Sequence, residues 1–183
     1  MQLRKLTKVV LAAGGIALWG GLAHADEFYA RLSGFYETGG LNAESGAILT
    51  GGTGTLQLDL DPNSQTATYT LTFSNLSSAV TQAHIHFGKV HVPGGIMVWL
   101  CQTTAKPSPV ASTPFCPAAG GTVTGTITDA SVVAIPGQNV TAGDFGAIED
   151  ALYSNTAYAN VHTVNFPGGE IRGQVEVERK RWR

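Results

Sequence analysis

Apolar residues recur at every second position over several stretches of this chain, which is the pattern of strands with one buried face. The first stretch, around Phe28, predicts a strand that ends near Gly34. Two further stretches, 55–60 and 67–73, are joined by residues 61–64, whose sequence DPNS is typical of a turn. These two stretches predict a β-hairpin with one apolar face and one polar face.

The second half of the chain adds more short strands. Residues 79–87 form one, and the continuous apolar run 96–101 predicts a central strand that is covered on both faces. Residues 122–128 alternate again, another strand carries His162, and a last strand is predicted over 170–177. Seven or eight short strands at this spacing indicate an all-β fold, an antiparallel Greek-key β-sandwich or barrel.

One segment has helical periodicity instead. Apolar residues recur at helical spacing between Phe145 and Tyr153. Thr141 is the predicted N-cap, Asp144 falls in the first turn, and Asn155 is expected to end the helix. The β fold is therefore expected to contain one short helix.

The start of the chain predicts a signal peptide. Three basic residues precede the apolar run 9–23, and Ala-His-Ala at 23–25 has the small-x-small pattern of a cleavage site. The predicted organisation is a signal peptide (1–25), one β domain (26–178) and a basic tail (179–183). The protein is expected to be periplasmic or secreted, with no transmembrane segment after cleavage, because the apolar run is short for a membrane span.

The charge balance bears on the class of partner. The full chain has 11 basic and 13 acidic side chains, and loss of the basic leader makes it more acidic. Proteins that bind nucleic acids need a basic face, so the balance argues against a nucleic-acid partner.

Two cysteines, Cys101 and Cys116, lie beyond the predicted leader. In an exported protein an even pair is most simply a disulfide. Closing this loop would contribute about 3 kcal/mol by the chain-entropy model. A copper-type site of cysteine and histidine is the alternative.

The histidines carry the candidate chemistry. His84 and His86 alternate on a predicted strand, so their side chains share one face about 6.5 Å apart and can converge on one metal ion. His162 lies more than seventy positions later, and we expect the fold to bring it beside them. The alternative is that the imidazoles only form structural hydrogen bonds.

Three ordered motifs carry a resemblance to a known family. Residues 83–88 (AHIHFG), 158–163 (YANVHT) and 167–174 (PGGEIRGQ) resemble the CHRD domain, named after chordin, over roughly residues 28–177. The resemblance implies an exported single-domain protein of the bacterial type. Chordin itself binds growth factors outside the cell, so a protein partner is one expectation.

A second resemblance concerns the metal. His84, His86 and His162 are similar to the copper ligands of Cu/Zn superoxide dismutases, which are also Greek-key β proteins. His91 could stand in for their bridging histidine as a fourth ligand. The resemblance implies a copper-only site, with superoxide as a small anionic substrate.

Three further residues are candidates for supporting roles. Arg172 could guide a small anion towards the metal, because focused positive charge raises encounter rates. Glu170 or Asn160 could orient a ligand imidazole through its second nitrogen. The alternative for Glu170 and Arg172 is an ion pair that closes the sheet.

The predicted function is therefore that of an exported copper-binding CHRD-domain protein with superoxide dismutase-like activity. Three alternatives stay open: a copper carrier without catalysis, an extracellular protein-binding module without metal, and a structural domain stabilised by zinc.

Overall fold

The computed structural model describes residues 25–38 and 46–178. The predicted signal peptide, except Ala25, and the basic tail lie outside these described residues. The strands are β1 (Asp26–Ser33), β2 (Thr53–Asp61), β3 (Thr66–Ser74), β4 (Val80–Phe87), β5 (Gly95–Cys101), β6 (Gly121–Ile127), β7 (Ala157–Thr163), β8 (Ile171–Gln174) and β9 (Glu176–Val177). The described residues contain one α-helix, α1 (Phe145–Tyr153), which precedes β7. None of the helices in the described ranges has the length and apolar character needed to cross a membrane.

The strands form one antiparallel sheet in the order β5-β4-β7-β8-β1-β2-β3-β6, with β9 paired to β1. The two ends of this path, β5 and β6, approach each other, so the sheet curls into a nearly closed barrel. The prediction of an all-β antiparallel fold with one helix is confirmed. The predicted last strand is divided into β8 and β9, which are separated by Val175.

Alternation along the strands builds the core. Strands β2 and β3 pair residue by residue from Thr53 opposite Ser74 to Asp61 opposite Thr66. At the turn between them, the Asp61 carboxylate accepts a hydrogen bond from the Asn63 backbone N–H at 2.9 Å. The inward residues of this hairpin are apolar and buried: Leu56, Leu58, Leu60, Ala67, Tyr69, Leu71 and Phe73. The predicted hairpin is therefore present with its apolar face in the core.

Strand β5 corrects the prediction of a central strand. It pairs with β4 on one side and lies at the end of the sheet path. Its other edge is covered by the segment after β6, where Val98 bridges Val132 and the Val133 N–H donates to the Met97 carbonyl at 2.9 Å. The run is continuously apolar because a covered edge in a nearly closed barrel needs apolar residues on both faces.

The cap of α1 also differs from the prediction. Asp144, rather than Thr141, is the N-cap, and its carboxylate accepts from the Ala147 N–H at 3.1 Å. The helix ends at Tyr153, and Asn155 follows with a φ of +58°. One carboxylate thus satisfies a free N–H group of the first turn, which is the usual function of an N-cap.

The predicted disulfide is present. Cys101 and Cys116 are bonded with an S–S distance of 2.02 Å, and the described residues include no free cysteine. The loop that they enclose is attached to the start of β4, because the Thr103 hydroxyl donates to the Thr81 carbonyl at 2.9 Å. This loop therefore lies beside the strand that carries His84 and His86.

Candidate metal centre

The pairing of β4 with β7 assembles the histidines. His84 lies opposite Asn160, His86 opposite Tyr158, and Gln82 opposite His162. Alternate residues of these strands, including Ile85, point into the hydrophobic core. The three histidines therefore project from the other face of the sheet.

The three imidazoles form a compact and buried cluster. His84 Nδ1 lies 3.2 Å from His162 Nε2. One ring nitrogen from each of His84, His86 and His162 can be chosen so that all lie within 4.8 Å of one another. The side chains are 0%, 8% and 6% exposed, respectively. The structure thus brings together the three predicted ligands from two strands far apart in sequence.

Backbone carbonyls fix the tautomers of two of these rings. His86 Nδ1 lies 2.9 Å from the Gly94 carbonyl oxygen, and His162 Nδ1 lies 2.9 Å from the Pro167 carbonyl oxygen. A carbonyl oxygen only accepts, so each Nδ1 must carry the hydrogen. The Nε2 atoms of both neutral rings therefore present lone pairs. Histidine ligands of metal ions are commonly held in this way.

The Nε2 atoms of His86 and His162 both face the side chain of Asn160. Asn160 Oδ1 lies 3.0 Å from Nε2 of both His86 and His162. The Asn160 side chain also lies near Glu37, where it favours the ionised form of that carboxyl group. His84 Nδ1 lies 3.2 Å from His162 Nε2 and can donate a hydrogen bond to that lone pair. The imidazole nitrogens and the Asn160 amide oxygen are also atoms that can serve as ligands of a metal ion.

His84 has a ring nitrogen without a hydrogen-bond partner. Its Nε2 is buried and has no hydrogen-bond partner among the described residues. A buried polar atom without a partner is unfavourable and is found at functional positions or ion sites.

Burial keeps the imidazoles neutral. Removal from solvent lowers the pKa of His86 to about 4, with a smaller contribution in the same direction from His162. Burial followed by the charges of His162 and His86 lowers the pKa of His84. Burial, supplemented by the charge of Lys106, lowers the pKa of His162. Neutral imidazoles bind a metal ion without first losing a proton.

Aromatic rings hold the cluster in place. Trp99 contacts His84 edge to face, with ring centroids 4.3 Å apart, and Tyr158 stacks on His86 with centroids 4.7 Å apart. The Arg172 guanidinium carbon lies 3.3 Å from the Tyr158 centroid.

Glu37 was missed by the sequence analysis. It lies in a glycine-rich connection without periodicity, yet its side chain is only 4% exposed. Burial raises the pKa of Glu37 to about 7, although the Thr38 N–H, Arg172 and Asn160 favour the carboxylate. Gly169, with a φ of +124°, admits this side chain, since a Cβ there would lie 2.5 Å from Glu37 Oε1. No local sequence signal could have identified this tertiary contact.

His91 lies apart from the cluster, which corrects its prediction as a fourth ligand. Its φ is +59°, in the turn that follows Lys89. The ring stacks on Tyr36 with centroids 6.3 Å apart. The local turn therefore directs the side chain towards the 34–36 segment instead of the metal ligands.

Arg172 and Glu170 have separate partners. The Arg172 guanidinium donates to Thr38 Oγ1 and to the Lys89 and Val92 carbonyls at 2.9–3.1 Å. The Glu170 carboxylate accepts from the side chains of Thr50, Ser77 and Thr163 and from the Ser77 N–H, at 2.6–2.8 Å. In the hydrogen bonds of the described residues, Glu170 and Arg172 do not pair with each other, and neither bonds to a ligand imidazole. The Gly94 and Pro167 carbonyls orient the imidazoles instead.

The opposite pKa shifts of His86 and Glu37 make a testable prediction for the metal-free protein. Lowering the pH from 7 to 5 should destabilise the Glu37→Gln variant by about 2 kcal/mol more than the wild type. The His86 contribution is complete above the ordinary pKa of 6.5 and is lost as the pH falls, because the unfolded state binds the proton first. The contribution of Glu37 to the free energy of unfolding is complete below pH 4.5 and is lost as the pH rises through 7. Acidification therefore increases this contribution in the wild type, where it offsets the loss from His86, but not in the Glu37→Gln variant. Urea unfolding at both pH values measures the difference, and equal losses would contradict the prediction.

Comparison with known proteins gives one family. No curated protein matches the chain. A family model described as the CHRD domain matches residues 28–175, which include every strand from the Phe28 region of β1 to the end of β8, and all three clustered histidines. The match covers most of the sequence, and the chain therefore belongs to the CHRD domain family.

Proposed function

We propose that this protein is an exported CHRD-domain protein that binds one copper ion through His84, His86 and His162. The observation that carries the proposal is the buried cluster of these three imidazoles, in which backbone carbonyls hold two rings with their Nε2 lone pairs directed into the cluster. The disulfide supports export, because such bonds persist in oxidising compartments.

The donor set supports copper ahead of zinc. Imidazole nitrogens suit both metals, and sites of this kind bind Cu²⁺ more tightly than Zn²⁺. Zinc is the alternative occupant, and it would stabilise the fold without redox chemistry.

A bound copper ion would supply one-electron transfer to and from a small molecule, and we propose superoxide as that substrate. The chain's own contribution is to hold three neutral imidazoles in fixed orientations. Arg172 would attract an anion through its long-range field, since the Tyr158 ring lies against its guanidinium and its side chain is 2% exposed.

Burial supports a second candidate function, a copper carrier or buffer without catalysis. His84 is fully buried, and His86 and His162 are less than one-tenth exposed. An enclosed site favours retention of the ion over rapid exchange of small substrates.

Copper content tests the proposal. The mature chain from Asp26 is purified, loaded with copper, and analysed by mass spectrometry beside His84→Ala and His162→Ala. We expect near-stoichiometric copper in the wild type and its loss in both variants, because each removes one of three ligands. His91→Ala is the matched control and should retain copper, since that ring stacks on Tyr36.

The outcomes separate the candidate functions. Superoxide turnover by the copper-loaded protein above that of its two histidine variants supports dismutation. Stoichiometric copper without turnover supports the carrier. A wild type that takes up no copper or zinc refutes a metal site and favours a protein-binding module.

A further inference from the structure

A groove of about 350 Å³ lies outside the histidine cluster. Its floor consists of alternate residues from three strands: Tyr29 and Arg31 of β1, Arg172 of β8 and Glu176 of β9. These strands approach closely because Gly173 has no side chain, and a Cβ there would lie 2.2 Å from the Arg31 carbonyl oxygen. The volume lies within the range of small-molecule sites, about 300–1,000 Å³.

Flat rings form one wall of the groove. Tyr36, in the short 3-10 helix Gly34–Tyr36, stacks on His91 with an interplanar angle of 17°. Tyr36 is 48% exposed, so part of its ring is open to a ligand. Planar groups pack favourably on such surfaces.

The charges of the groove favour an anion. Arg31 and Arg172 supply two cations, whereas Glu176 supplies one carboxylate. A guanidinium has five N–H donors, and Arg172 uses three of them for Thr38 and two carbonyls. Arg31 is exposed, and its guanidinium carbon lies 5.9 Å from the Tyr29 ring centroid. The groove is cationic in a protein whose formal charge is −2.

We propose that this groove binds a small planar anion of the aromatic carboxylate class. The carboxylate would lie near Arg31, with Arg172 as the buried cation beneath it, because a guanidinium pairs with a carboxylate through two parallel hydrogen bonds. The aromatic ring would pack against the wall formed by Tyr36 and His91. Binding here does not require metal at the histidine cluster.

Benzoate is the probe, followed by NMR titration of the metal-free mature chain. Saturable shifts are expected at Arg31 and Tyr36. Arg31→Gln should weaken binding about fivefold, and Glu176→Gln should strengthen it by a similar factor, as expected for one charge near an exposed ligand. Opposite effects of the two substitutions are specific to an anionic ligand. Lys106→Gln removes an exposed cation outside the groove lining and should leave binding unchanged.

Two related probes separate charge from shape. Benzamide keeps the planar ring without the charge, and cyclohexanecarboxylate keeps the charge without the planar ring. Both should bind more weakly than benzoate. Absence of saturable benzoate binding, or equal binding of benzamide, would overturn the proposal, and so would equal affinities in Arg31→Gln, Glu176→Gln and the wild type. Copper uptake is measured separately, so failure of this site is distinguishable from failure of the metal centre.

Discussion

Replacement of Glu170 by alanine is expected to lower the free energy of unfolding by about 4 kcal/mol. The carboxylate is fully buried and accepts four hydrogen bonds from Thr50, Ser77 and Thr163. Burial opposes its ionisation, but these hydrogen bonds outweigh burial and hold the pKa of Glu170 below its ordinary value. Alanine would leave four donors without their acceptor, which is more costly than the absence of both partners. Urea unfolding at pH 7 measures the change.

Two comparisons make this result specific. Glu170→Gln retains the shape and one oxygen acceptor, so we expect a smaller loss than for alanine. Asp59→Asn alters an exposed acid on β2 and should change stability by less than about 0.5 kcal/mol. A loss for Glu170→Ala as small as that for Asp59→Asn would show that the carboxylate does not stabilise the packing of the segments that carry Thr50, Ser77 and Thr163.

Replacement of Gly94 by alanine is expected to lower both stability and copper affinity. A Cβ at Gly94 would lie 1.8 Å from the Phe87 carbonyl oxygen, so the 88–94 loop would have to move. The Gly94 carbonyl accepts from His86 Nδ1, and the Gly94 N–H donates to the Tyr158 hydroxyl. We expect a loss of about 3 kcal/mol in unfolding free energy. Copper affinity should fall about tenfold or more, because the partner that orients His86 is displaced.

Gly137→Ala provides the matched control. Gly137 also lies outside the strands, and an added Cβ there meets no atom within 4 Å. Its stability and copper affinity should match those of the wild type. The affinities are measured by competition with a copper chelator, at temperatures where each variant remains folded. Equal copper affinity in Gly94→Ala and Gly137→Ala would exclude the Gly94 carbonyl as a determinant of the site.

Local patterns predicted much of the fold, and the exceptions share one cause. The hairpin of β2 and β3 was identified because alternation and the turn at Asp61 are properties of neighbouring residues. The apolar run of β5 was assigned to the sheet centre, whereas the structure places it at an end covered by residues 132–133. A strand buried by a covering segment and a strand buried by the sheet have the same apolar pattern. Sequence periodicity reports burial and does not identify the neighbour.

The candidate site also combines features that local sequence predicts with features that depend on long-range contacts. The shared face of His84 and His86 follows from strand geometry, and the CHRD-like motifs linked them to His162. His91 illustrates the limit of proximity in sequence: it follows His86 by five positions, but a turn with positive φ directs it to Tyr36. Glu37 illustrates the converse, because it is distant in sequence but packs against Gly169 and is buried near the cluster.

Sequence patterns indicated an all-β domain, favoured a disulfide between Cys101 and Cys116, and identified three histidines on two predicted strands. The protonation and orientation of those histidines could be read only from the fold. The tautomers of His86 and His162 depend on the carbonyls of Gly94 and Pro167, which lie on separate loops. Strand alternation follows from the extended backbone of each segment, so it can be recognised from neighbouring residues alone. Hydrogen-bond partners and desolvation depend on which distant segments the closed sheet brings together.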